Sequence, residues 1–199
     1  FTTIQGLSIL SEAVDYYDHP TCINANNSKL KVLNSNIFST ADDIPFSNAS
    51  GIKLSDCDDV IMNNNAIIVN YANGWGWGGN GYGIHSTGSN ILVTNNFIRA
   101  RGFEGEDYFG ATGYGIYNNG SNLSVIKNLI IGTGLKGGYG IYNSGNLIVN
   151  NNTIIAASTN RNYGRAYGIE SNANSPENYV YINGNIFYGD GHNCRGIRL

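Results

Sequence analysis

A three-residue phrase returns through the chain at a nearly regular interval, and it restricts the fold more than any other feature. Tyr82-Gly83-Ile84, Tyr114-Gly115-Ile116, Tyr139-Gly140-Ile141 and Tyr167-Gly168-Ile169 are its full copies. Ser50-Gly51-Ile52 and Arg195-Gly196-Ile197 are variants, and Thr21-Cys22-Ile23 aligns with them without gaps. The central positions of successive copies lie 25 to 32 residues apart. A second phrase, apolar-x-x-Asn-x-apolar, follows each of the first six copies, with its Asn at Asn36, Asn65, Asn96, Asn128, Asn152 and Asn185. Leu7 takes the Asn place near the start. From the Gly to the next Asn the distance is 12 to 17 residues, and from the Asn to the next Gly it is 11 to 19. One side of the repeat is therefore the more regular. A stacked coil behaves this way when loops gather at one corner and the others are tight turns.

The pieces between these markers are short, alternating, and β-branched or aromatic, as at residues 91–93, 147–149 and 179–182. No helical period is sustained. Repeats of ~20–50 residues without helices build solenoids or propellers, and a propeller blade needs about 40 residues and four strands. These repeats are shorter and hold three strand-sized pieces. The reading is an all-β parallel β-helix of about six full coils, stacked at about 4.8 Å. A length of 199 residues suits one domain spanning 1–199. With 13% charged residues and a net charge of −3, the chain lacks the basic face that nucleic acid requires. Its apolar runs, such as residues 66–69, are too short to span a bilayer.

The Gly-Ile strands, tight turns and Asn row together resemble the pectin-lyase-like right-handed parallel β-helix superfamily, across about residues 3–199. In style the repeats look closest to bacterial surface and secreted β-helix proteins. The resemblance implies a right-handed coil, an internal ladder of stacked Asn side chains, and an extracellular or cell-surface location. It also implies that a polysaccharide or surface glycan, if bound, lies on the outer strand face. A stacked Asn suits a ladder, because its amide both donates and accepts.

Strand alternation assigns sides. With the Ile inward, the Gly is expected to form a bare outer strip, beside an outward row of Asn24, Lys53, His85, Tyr117, Tyr142, Glu170 and Arg198. Tyr82, Tyr114, Tyr139 and Tyr167 share the parity of the Ile and are expected to stack at a corner. Two loops flank this face. One, at 70–81, holds Trp75 and Trp77, whose flat rings suit sugars or cap a coil edge. The other, at 99–110, holds Arg99, Arg101, Glu104, Glu106 and Asp107. It reads as a solvated tip or, more weakly, as a Ca²⁺ site formed by Glu104, Glu106 and Asp107, since hard cations take several oxygens. Asp56, Asp58 and Asp59 read as turn residues. Cys22, Cys57 and Cys194 fit no metal spacing and read as thiols rather than as a disulfide pair with one left over.

Three function classes follow. A binder would use Trp75, Trp77, His85, Tyr117, Tyr142, Glu170 and Arg101 along the outer face. A rigid structural or adhesive element would need only the solenoid. An enzyme on an acidic polysaccharide, a lyase or a glycoside hydrolase, would use His85 or Tyr117 as base and Lys53 or Arg101 as neutraliser, or Glu170 with a loop carboxylate. No cofactor is expected apart from the possible Ca²⁺. The chain shows no capping segments. It is read as part of a longer β-helix or, alternatively, as a subunit that stacks end to end into a filament.

Overall fold

The computed structural model describes residues 1–13, 19–41, 47–71, 79–102, 111–120, 122–160, 162–172 and 178–199. They form strands and no helix. The first two coils are β1 (Thr2–Gln5), β2 (Ser8–Glu12) and β3 (Thr21–Asn26), then β4 (Leu30–Leu33), β5 (Asn36–Ala41) and β6 (Ala49–Ser55). The next two are β7 (Val60–Asn63), β8 (Ala66–Tyr71) and β9 (Gly81–Thr87), then β10 (Asn90–Thr94), β11 (Phe97–Arg101) and β12 (Thr112–Asn119). After them come β13 (Asn122–Ile126), β14 (Leu129–Gly134) and β15 (Gly137–Asn143), then β16 (Asn146–Asn150), β17 (Thr153–Ser158) and β18 (Arg165–Ser171). The last are β19 (Val180–Asn183), β20 (Ile186–Asp190) and β21 (Asn193–Arg198).

Equivalent strands pair in parallel into three 7-stranded sheets: sheet A from β1 to β19, sheet B from β2 to β20 and sheet C from β3 to β21. The expected solenoid of about six full turns is what forms. The long, variable connections run from sheet B to sheet C, at the corner after the ladder, where the spacing put them, with one exception: residues 172–179 join β18 of sheet C to β19 of sheet A. Inside, each sheet contributes a column of in-register apolar side chains. In sheet A these include Val32, Met62, Val93, Val125 and Val149, in sheet B Ile37, Ile67, Ile98, Ile130 and Ile154. Sheet C adds Ile52, Ile84, Ile116, Ile141 and Ile169, and all fifteen are fully buried in one core.

The turn from sheet A to sheet B is built the same way in every coil. One residue takes a left-handed conformation: Gly6, Asn34, Asn64, Asn95, Lys127, Asn151 and Gly184, with φ between 51° and 65°. Glycine and Asn adopt this region at least cost. Lys127 is the only member of the column that is neither. Lys127→Asn should raise the unfolding free energy by about 0.5 kcal/mol, read by thermal or urea unfolding.

The residue after it enters the ladder. The backbone N–H groups of Ser35, Asn65, Asn96, Asn128 and Asn152 donate to the Oδ1 atoms of Asn65, Asn96, Asn128, Asn152 and Asn185 at 2.8–2.9 Å. Each Nδ2 of Asn65, Asn96, Asn128 and Asn152 also donates to the next Oδ1. One expected member is corrected. Asn36 is exposed and pairs with Ala66, one residue past the ladder, while Ser35 stands in register with Asn65. The hydroxyl of Ser35 accepts from the Leu7 N–H at 3.3 Å, so Leu7 does occupy the ladder place of the first coil.

The acidic trio is turn chemistry. Asp56 and Asp59 take φ of 51° and 53°, and Lys29 Nζ lies 2.6 Å from Asp59 Oδ2. All three cysteines are free thiols, with Cys57 buried, Cys22 half-buried and Cys194 exposed.

Candidate functional site

The expected outer row exists in register. Asn24, Lys53, His85, Tyr117, Tyr142, Glu170 and Arg198 are successive partners along sheet C. The Gly strip and the Tyr row are corrected together. Gly83 and Ile84 are both buried, and so are their counterparts in the next two coils. A Cβ on Gly83 would meet Ile98 Cγ2 and the Gly115 carbonyl, each at 2.5 Å. The glycines therefore face the interior, against the sheet B column and the next coil's backbone. Two consecutive inward residues break the pleat, and only a residue without a side chain fits the first of them. The break moves the preceding Tyr onto the outer face, beside the row it was expected to oppose.

The result is a double row of rings. Tyr82, Tyr114 and Tyr139 stack in sequence at centroid distances of 5.3 and 4.9 Å, and Tyr167 meets Tyr139 edge-on at 5.4 Å. In the second row Tyr117 and Tyr142 stack at 4.9 Å and 6°. Tyr114 lies at 81° to Tyr117 and at 78° to Tyr142. Parallel rings this close must overlap face to face, so the two rows lean against each other in a herringbone. Ring faces are spent on neighbouring coils. Each such contact is worth ~0.5–1.5 kcal/mol beyond burial. His85 extends the array at one end, stacked on Tyr82 at 4.6 Å and edge-on to Tyr117 at 5.1 Å.

The polar groups of the array are partly engaged. Asn80 Nδ2 donates to the Tyr82 hydroxyl and Asn172 Nδ2 to the Tyr142 hydroxyl, both at 3.1 Å. Tyr117 and Tyr139 have no hydroxyl partner among the described residues. Burial raises the phenol pKa of Tyr82, Tyr114, Tyr117 and Tyr139, the last to about 12, so these four rings remain neutral. Burial, and then the Lys53 charge, push the His85 pKa below its usual value, which holds the imidazole neutral at pH 7. Glu170 is nearly buried and tied to Arg198 at 3.0 Å, and the Arg198 guanidinium lies 5.4 Å from the Tyr167 ring centroid. Glu170 is the only carboxylate on the described strands of sheet C.

Sheet C thus gathers Lys53, His85, Tyr117, Tyr142 and Glu170 on one face. It does not gather Arg101. That residue lies on sheet B, in a shallow depression of about 470 Å³ lined by Leu10, Glu12, Phe38, Thr40, Asn70 and Arg99 as well. Trp75, Trp77, Glu104, Glu106 and Asp107 fall outside the described residues. Among the described residues, no three His, Cys, Asp or Glu side chains converge as a metal ion would require. Among the described residues, no helix is long and apolar enough to cross a membrane.

Sequence reasoning missed a second polar stack, directly under the outer row. Ser86, Asn118, Asn143 and Ser171 are in register and buried, and Asn118 Nδ2 donates to Asn143 Oδ1 at 2.7 Å. The Tyr-Asn pairs 117–118 and 142–143 were its only trace in the sequence.

Three parallel sheets closed by an Asn ladder, with one regularly decorated strand face, define a parallel β-helix. The family model for right-handed β-helix regions matches residues 21–199, and the chain belongs to that family. No curated protein and no solved structure matches it.

Proposed function

We propose that this protein binds carbohydrate along the outer face of sheet C. The observation that carries the reading is the herringbone of six part-exposed rings, Tyr82, Tyr114, Tyr139, His85, Tyr117 and Tyr142, backed at one end by the buried Tyr167. Rigid aromatic side chains give contact area at little entropic cost, and their polar tips supply hydrogen bonds. Tyr117 and Tyr139 offer hydroxyls with no partner among the described residues, while Asn80 and Asn172 line the rim. The rows run along the solenoid axis, so an extended polymer suits them better than a compact ligand. Such polymers lie outside the cell or on its surface, and the reading puts the protein there, as a rigid adhesive element. Hydrolysis by two carboxylates has weaker support, because Glu170 is paired with Arg198 and has no second carboxylate beside it on the described strands of sheet C.

Immobilised polysaccharides on an array test the reading. Tyr117→Ala should weaken binding about ten-fold, the ~1.4 kcal/mol of one aromatic contact. Asn36→Ala, on the exposed face of sheet B, should leave binding unchanged. Equal binding by both variants would remove the site from sheet C.

A further inference from the structure

We propose that the polymer taken by this face is neutral and extended rather than a polyuronate. The inference rests on the reading of sheet C as a glycan site and adds the chemical class of its ligand.

The charge distribution carries it. Strands β9, β12 and β15, which hold the centre of the array, contain no Lys, Arg, Asp or Glu. Their one titratable base, His85, is packed between the Tyr82 and Tyr117 rings. A polyuronate presents a carboxylate on every sugar and would set several of them against these phenols. Those set over Tyr82, Tyr114 and Tyr117 would lose water without gaining a cation from their own strands, a cost that uncharged hydroxyls do not incur. The cations of sheet C stand towards the ends of the array: Lys53 at one end, and at the other Arg165 on β18, whose charge reaches Tyr139, with Arg195, in register with Tyr167, and Arg198. Lys53 lies one coil before the array, and Arg198 is already held by Glu170 at 3.0 Å. Between residues 102 and 119 the chain carries Glu104, Glu106 and Asp107 and no basic residue, and its net charge is −3. Long-range attraction of a polyanion is absent as well.

A neutral glycan meets groups that fit it. Its hydroxyls can exchange hydrogen bonds with Tyr117, Tyr139, Asn80 and Asn172, and its C–H edges can lie in the corrugation between tilted rings. From β9 to β18 there are three inter-strand steps, or ~14 Å, which sets the length of polymer in contact.

Affinity electrophoresis and calorimetry with a soluble β-glucan, a galactomannan, polygalacturonate and alginate, each at low and at about 0.3 M salt, test the proposal. A neutral polymer should bind with affinity almost independent of salt, and oligomers should stop gaining affinity once they exceed ~14 Å. Tyr117→Phe, which keeps the ring and its packing, should weaken binding about three-fold by loss of one hydroxyl, with unchanged thermal unfolding. Polyuronate binding that is tighter, falls steeply with salt and responds to Tyr117→Phe would overturn the neutral class while keeping the site. Binding of neither kind of polymer would overturn the site itself, and the inference with it.

Discussion

Asn128→Ala should lower the unfolding free energy by about 3 kcal/mol, whereas Asn36→Ala should change it by less than about 0.5 kcal/mol. Asn128 Oδ1 accepts from the Asn96 N–H at 2.8 Å and from Asn96 Nδ2 at 3.1 Å. Its own Nδ2 donates to the Val93 and Ile126 carbonyls and to Asn152 Oδ1 at 2.9–3.0 Å. Truncation leaves the Asn96 N–H buried without an acceptor, opens a small cavity and cuts the ladder in two. An unsatisfied buried donor alone costs ~1–3 kcal/mol. Asn36 has no such duties: it is exposed, and the fold already accepts Ala66 at the equivalent place one coil later. Urea unfolding of both variants beside the parent checks the contrast. Similar losses at the two positions would mean that the ladder carries little of the stability.

The misplacement of Asn36 shows how far periodicity reaches. The repeat established three strands per coil, the variable corner and five ladder positions, because each depends on a spacing that the sequence displays directly. The run Asn34-Ser35-Asn36 offers Asn on either side of the true ladder place. Choosing among the three needs the turn geometry, in which Asn34 takes φ 51° and pushes Ser35 inward. Alternation worked from the Ile onward and placed Lys53, His85, Tyr117, Tyr142 and Glu170 in one row. It failed one step earlier, at the Gly, since a break in the pleat has no signature beyond the glycine itself. The site is therefore half legible: one row is in view, and parity makes the row that converts it into a herringbone a packing stack at a corner, with its stacking foreseen and its place beside the outer row not. Arg101 was placed with the wrong sheet because the chain turns the variable corner between Arg101, on β11, and β12.

That break in the pleat is also the most exacting point of the design, and Gly115→Ala should cost about 3 kcal/mol or more. A Cβ there would stand 2.7 Å from the Gly140 carbonyl and closer still to Ile130 Cγ2. Neither neighbour can yield. Ile130 is fully buried between Ile98 and Ile154, and the Gly140 carbonyl belongs to the backbone of the next coil. The same column does admit a side chain once, at Cys22, whose Sγ–H donates to the Phe38 carbonyl at 2.9 Å. Cys22 lies on β3, which has a neighbour on one side only and can shift to make room, while β12 is clamped between β9 and β15. Gly189→Ala provides the comparison, because its Cβ would meet nothing nearer than 3.5 Å, and it should be neutral within about 0.5 kcal/mol. The effect should reach the outer face, since the kink at Gly115 is what brings Tyr114 beside Tyr117. Gly115→Ala should therefore reduce the near-ultraviolet tyrosine dichroism and weaken carbohydrate binding, under conditions where most of the protein remains folded. Equal stability of the two alanine variants would show that the glycine column is not set by space, and the placement of the outer Tyr row would then need another cause.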